Sequence, residues 1–115
     1  MKRKNMIKDS HSFDEIIKTG KNISNKYFRI FYLEKENCVS KFGLAVGKKI
    51  GNAVIRNHVK RQLRSIIDKN NLLFSNDTYY IIMVKKAYLD EKYAVLENEF
   101  RKLIEKVNKW QKKQR

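Results

Sequence analysis

The stretch from Asn52 to Asp68 makes two opposed demands on any structure that contains it. Wound as a helix from Arg56, it puts Lys60 at about 40°, Arg64 at about 80°, Asn57 at about 100° and Arg61 at about 140°. Ile55, Val59, Leu63 and Ile66 fall between about 260° and 340°. One side has to meet a core, and the other can only face water or an anion. Asn52 is placed to cap this helix, and Asn70-Asn71 to stop it.

The cations are not interleaved with acids. Between Asn37 and Ile67 there is no Asp or Glu, while Lys41, Lys48, Lys49, Arg56, Lys60, Arg61 and Arg64 all lie in that window. A solvated helix face normally mixes the two signs, since unlike charges four apart support the helix. Arginine's planar fork bonds two phosphate oxygens at once, and lysine adds a mobile charge. Asn57, within the band, can both donate and accept, which suits a ribose hydroxyl or base edge as well as a structural hydrogen bond. Lys48, Lys49 and Gly51 precede the helix, where free amides also favour phosphate.

The whole chain has the same bias. Its 115 residues hold 27 Lys+Arg against 12 Asp+Glu, a formal charge of +15. Such an excess repels itself in a compact state unless a polyanion is the partner. Nucleic acid is the first candidate. A membrane is not expected, because the longest strongly apolar run, Tyr79 to Val84, is far too short to span one. No apolar segment of a signal peptide follows the basic N-terminus, so cytoplasmic residence is expected. The length suits one domain, 1–115. Cys38 is the only cysteine and reads as a filler residue near a strand end.

Around the basic helix, a small α+β sandwich is expected. Ser12-Phe13-Asp14-Glu15 reads as a capping box opening a first helix, with Phe13, Ile16 and Ile17 at helical spacing and Gly20 as a left-handed cap. Tyr27 to Leu33 alternates as a strand, with Phe28, Ile30 and Tyr32 on one side. Phe42 to Val46 resumes a strand, expected to pair antiparallel with the first, and Gly43 and Gly47 leave room above the sheet. Asp77 to Val84 is continuously apolar, as a central strand covered on both faces would be. A last helix from about Glu91 to Lys112 carries Leu96, Phe100, Leu103, Val107 and Trp110 on one side. This arrangement covers one face of the sheet and leaves the remainder as a possible groove.

The stretch F-G-L-A-V-G-K-K-I-G-N-A-V-I-R-N-H-V-K-R-Q-L-R, Phe42 to Arg64, resembles the signature of bacterial ribonuclease P proteins. Arg56, Asn57, Lys60, Arg61 and Arg64 carry the family's Arg-Asn, Lys-Arg and Arg pattern. The resemblance continues in Phe13 followed by Gly20, in Asn25-Lys26-Tyr27-Phe28, and in the spacing of the last strand and helix. It implies the order αβββαβα, with the basic helix as a left-handed crossover between parallel strands. It also implies a role: the protein joins a catalytic ribonuclease P RNA, and the complex removes the 5′ leader of precursor tRNA by endonucleolytic hydrolysis. The RNA and its Mg2+ would carry that chemistry, with no cofactor on the protein and no protein partner required.

A cleft between the first helix and the sheet would hold the single-stranded leader, and Phe13, Ile17, Arg29 and Phe31 match its lining. One corner departs from the family. Where an Arg-x-Pro-Ala pattern is common, this chain reads Val84-Lys85-Lys86-Ala87, so Lys85 or Lys86 would supply the charge. Two further readings stay open on sequence: another structural or ribosomal RNA-binding protein, and a helix-turn-helix DNA reader. The glycine-bearing strand before the basic helix argues against the second. His11 and His58 have no visible partner for acid–base chemistry, and the acids are scattered, unlike a two-metal site.

Overall fold

The longest apolar strand organises the molecule. In a computed structural model, which describes residues 6–7, 9–35, 40–75 and 77–113, the elements run α1 (Ser10–Thr19), β1 (Lys21–Ser24), β2 (Phe28–Glu34), β3 (Lys41–Ala45), α2 (Ala53–Lys69), β4 (Thr78–Val84) and α3 (Tyr93–Lys113). This is the order αβββαβα. Cys38 lies outside the described residues. The sheet order is β1-β2-β4-β3, so β4 is internal, as its unbroken apolar sequence requires.

The expected antiparallel pair of β2 and β3 is not formed. β4 separates them, pairing antiparallel with β2 from Phe28↔Val84 to Glu34↔Thr78, and parallel with β3 from Lys41↔Tyr79 to Ala45↔Met83. Closeness in sequence favoured a hairpin, but β4 is apolar on both faces and needs a neighbour on each edge. β3, shorter and holding Gly43, becomes an edge strand. Its parallel partner is reached through α2, whose N-cap is Asn52: the side-chain oxygen accepts from the Ile55 amide at 3.0 Å.

Both faces of the sheet are covered, not one. On the first, Phe28, Ile30, Tyr32, Tyr80 and Ile82 meet Val59, Leu63 and Ile66 of α2 and Leu96, Phe100, Leu103 and Val107 of α3. Phe28 packs edge-to-face against Phe100 and Tyr88, at centroid distances of 5.4 and 5.7 Å. Trp110 does not join this core and is 55% exposed; Ile104 and Gln111 take the buried places at the end of α3. Gln111 is held by Ser75, whose hydroxyl donates to Oε1 at 2.9 Å, and itself donates to the Thr78 hydroxyl at 3.2 Å.

On the second face a smaller cluster forms from Ile7, Ile16, Phe31 and Ile81 beneath α1. The cap of α1 is Asp9 rather than Ser12: the Asp9 carboxylate accepts from the Ser12 amide at 2.9 Å, and Glu15 pairs instead with Lys35. Gly20 is extended, not left-handed (φ −77°). Its need for glycine is steric, since a Cβ there would stand 2.5 Å from the Ile16 carbonyl oxygen and 2.7 Å from that of Tyr32. Gly43 does not leave open space either. A Cβ would lie 2.6 Å from Phe13 Cζ, so the ring fills the notch above the sheet.

Candidate nucleic-acid interface

The apolar stripe of α2 fixes which way its cations point. With Val59, Leu63, Ile66 and Ile67 buried, Asn57, Arg61 and Arg64 are exposed and Arg56 and Lys60 are half-buried. On the far flank, the Tyr88 hydroxyl donates to Gln62 Oε1 at 2.8 Å and that of Tyr93 to Ser65 Oγ at 3.1 Å. These bonds hold the helix against rotation about its axis, and burial of Tyr88 pushes its ionisation well above the ordinary tyrosine range. The hydroxyl therefore stays protonated and donating.

Among the described residues, no ion pair involves Lys48, Lys49, Arg56, Lys60, Arg61 or Arg64; the pairs join Lys35, Lys69, Arg101 and Lys102 to glutamates elsewhere. Arg56 Nε is shielded from water and has no hydrogen-bond acceptor among the described residues. A buried donor without a partner is costly, and an oxygen brought by a ligand would satisfy it. Lys48 and Lys49 stand exposed on a short 3-10 turn, Lys48–Ile50, that leads into α2. The seven sequence-predicted residues thus lie on one helix and the turn before it.

A trough of about 710 Å³ opens beside this band, at the C-terminal ends of β3 and β4. Leu44, Ala45, Val46 and Met83 contribute hydrocarbon to it, and Lys48, Lys49, Lys60 and Lys86 contribute charge. The two lysines of the altered corner separate here. Lys85 is tied into the fold, its ammonium donating to the Asn25 carbonyl at 2.7 Å and its amide to that of Tyr27 at 2.8 Å. Lys86 is exposed and reaches the trough.

The second predicted group, around α1, is only partly open. Phe31 is 8% exposed and packs with Ile16 and Ile81, Phe13 is half-buried against Gly43, and Ile17 is 39% exposed. Arg29 is half-buried, and its Nη1 donates to Asn22 Oδ1 at 2.6 Å. The strand registers align Ser24, Arg29, Met83 and Ala45 in one row across the sheet, next to the row holding Phe31, Ile81 and Gly43. Sequence reasoning missed Ala45 and Met83, and left Lys86 undivided from Lys85. Alternation along β4 would put Met83 on the face of Ile81, but only the register brings it beside Arg29 and Ala45. Among the described residues no helix is long and apolar enough to cross a membrane, and no three His, Cys, Asp or Glu side chains gather as metal ligands.

Known proteins share both sequence and fold with this chain. A protein of Mycoplasma capricolum named ribonuclease P protein component is 45% identical over 108 residues, covering 93% of this chain and 99% of its own. The Streptococcus agalactiae protein of the same name is 35% identical over 97 residues, covering 84% and 88%. The solved RNase P protein of Staphylococcus aureus superposes with a TM-score of 0.82 at 23% identity, over 90% of this chain and 94% of the other. That of Thermotoga maritima gives 0.80 at 22% identity, over 88% and 96%. A family model described as Ribonuclease P matches residues 1–108. With nearly the whole length matched, and with the Arg56 to Arg64 band set on a fold of that kind, the chain belongs to the ribonuclease P protein family.

Proposed function

We propose that this protein is the protein subunit of a ribonuclease P ribonucleoprotein, which removes the 5′ leader of precursor tRNA. In this reading the surface of Lys48, Lys49, Arg56, Asn57, Lys60, Arg61 and Arg64 holds the catalytic RNA. The cleft of Phe13, Ile17, Arg29 and Phe31 receives the single-stranded leader. Hydrolysis belongs to the RNA and its Mg2+, with no cofactor on the protein, no protein partner required and no membrane involved. A cytoplasmic place of action goes with it.

The observation that carries this reading is the cationic band of α2, unpaired among the described residues and ending in the acceptor-less Arg56 Nε. Phosphate oxygens match both features. Lys86, which reaches the trough while Lys85 is held by Asn25, is the cation we assign to the corner where the chain departs from the family pattern. The cleft assignment leans on Phe13 and Arg29, which remain accessible, more than on Phe31, which is largely core.

Reconstitution tests the proposal. The purified protein alone should leave precursor tRNA intact, and adding the cognate catalytic RNA with magnesium should give cleavage at the mature 5′ end. At low magnesium the RNA should depend on the protein. Cleavage by RNA-free protein would overturn the division of labour, and failure to bind the catalytic RNA would overturn the assignment as a whole.

A further inference from the structure

We infer that the outer flank of α3, centred on Trp110, is a second contact for the catalytic RNA, taking one unpaired base on the indole and the adjoining phosphates on Lys106 and Lys109; this rests on the function proposed above. Trp110 is left out of the core, where Ile104 and Gln111 take the buried places, and stands 55% exposed. Around it the sequence repeats the charge separation of α2. From Lys106 to Arg115 the chain carries Lys106, Lys109, Lys112, Lys113 and Arg115 and no Asp or Glu. Of these, Lys106 and Lys109 are exposed and join no ion pair among the described residues.

Leu103, Lys106 and Trp110 recur at steps of three and four, so they share one stripe of α3. Helical side chains lean toward the N-terminus, which lays the indole over the Lys106 turn, on the rim of a hollow of about 250 Å³. Leu103 gives this hollow an apolar wall, and Lys106 and Lys109 give it charge. Two acids also line it: Glu99, which pairs with Lys102 at 3.5 Å, and Glu105, whose carboxylate can accept from the exocyclic amino group of a base. Asn25 closes the far side, its carboxamide donating to the Glu99 carbonyl at 3.2 Å. A ring to stack on, with free cations within one turn of it, is the arrangement that holds unpaired nucleic acid. A second copy of this chain would instead bring another +15 against the same lysines.

The catalytic RNA is favoured over the leader by the layering of the fold. α3 lies with α2 on the first face of the sheet, and the two helices are joined by Tyr93 to Ser65 at 3.1 Å and by Lys69 to Glu97 at 3.9 Å. The leader cleft lies on the second face, beneath α1, with the sheet between it and α3. An RNA anchored on α2 therefore reaches Trp110 by crossing one neighbouring helix, whereas a leader would have to pass round the edge of the sheet. The protein would then hold its RNA at two places on one layer and leave the other layer to substrate.

Trp110 is the only tryptophan, so its fluorescence reports on this flank alone. In the wild-type protein bound to the cognate catalytic RNA, with no tRNA present, the indole should be quenched by the stacked base and shielded from acrylamide. W110A should weaken that binding about 5- to 150-fold, and W110F, which keeps a stacking ring, should recover most of the loss. K106A/K109A should lower the salt slope by about 0.7 to 0.9 for each lysine. The inference is overturned by an indole as open to acrylamide in the complex as in the free protein, a measurement that needs no variant and so decides even where W110A is destabilised. Shielding that appears only once precursor tRNA is added would give the flank to substrate and overturn it equally. A wild-type protein that does not bind the catalytic RNA at all would instead sink the function on which the inference stands.

Discussion

Replacing Lys60, Arg61 and Arg64 together by alanine separates a directed phosphate interface from the general attraction of a +15 chain. These three suit the purpose because none is ion-paired among the described residues and none belongs to the buried stripe of Val59, Leu63, Ile66 and Ile67. Alanine also keeps helix propensity high, so α2 itself should survive. Arg56 is left in place, since its half-buried side chain would mix packing with charge. If each cation meets one phosphate, the slope of log K against log salt should fall by about 2.1 to 2.7. Between 50 and 200 mM KCl the wild type should then lose roughly 20- to 40-fold more affinity for the catalytic RNA than the variant. The assay is fluorescence anisotropy or filter binding on that RNA at fixed magnesium. A control of equal charge change, Lys69, Arg101 and Lys102 to alanine, removes cations that pair with Glu97 and Glu99. It should leave the slope nearly intact. If the control flattens the slope as much as the band does, net charge suffices and the argument from orientation fails.

Two further outcomes follow from the α1 side. Gly43→Ala should destabilise the fold by about 1–3 kcal/mol, because the new methyl overpacks against Phe13; Phe13→Leu in the same chain should relieve part of the loss, and strictly additive urea midpoints would contradict the contact. Asp9, Glu15 and Glu91 have their carboxyls held below the usual range by the Ser12 amide, the Lys35 ammonium and the Tyr27 hydroxyl respectively. Their folded values lie below the unfolded ones, so their contribution is complete above about pH 4.5 and fades as pH falls through the folded values. Asp9→Asn keeps a capping side chain, and should match the wild type at neutral pH with a shallower acid limb in thermal melts; superimposable acid limbs would deny the role of the charge.

The parts of the structure that were legible are those where one local rule had no competitor. α2 announced itself through the Asn52 cap and the separation of its two faces, and β4 through an apolar run that only an internal strand could bury. β1 left no such trace: in Lys-Asn-Ile-Ser only Ile23 is half-buried, so neither burial nor propensity marks it. The pairing of β2 with β4 depends on residues some fifty positions apart, and chain proximity pointed to the wrong neighbour. At Asp9 and Ser12 two capping signals overlapped, and the charged one, three residues earlier, won. For the interface, charge pattern located the band on α2 but could not distinguish Lys85 from Lys86. That depends on the Asn25 turn, whose carboxamide oxygen accepts from the Tyr27 and Phe28 amides and whose backbone carbonyl takes Lys85.

The unequal size of the two hydrophobic clusters has a consequence for motion. α2 and α3 are fastened by most of the buried side chains, whereas α1 rests on four buried residues, Ile7, Ile16, Phe31 and Ile81, with Phe13 seated in the Gly43 notch. Lifting α1 exposes little apolar surface, so it is the element with the least costly local opening, well below the free energy of global unfolding. The basic helix, by contrast, can open only with the main core. The molecule thus combines a stiff cationic face with a yielding helix beside the cleft, and a ligand that closes α1 down spends part of its binding energy on ordering it.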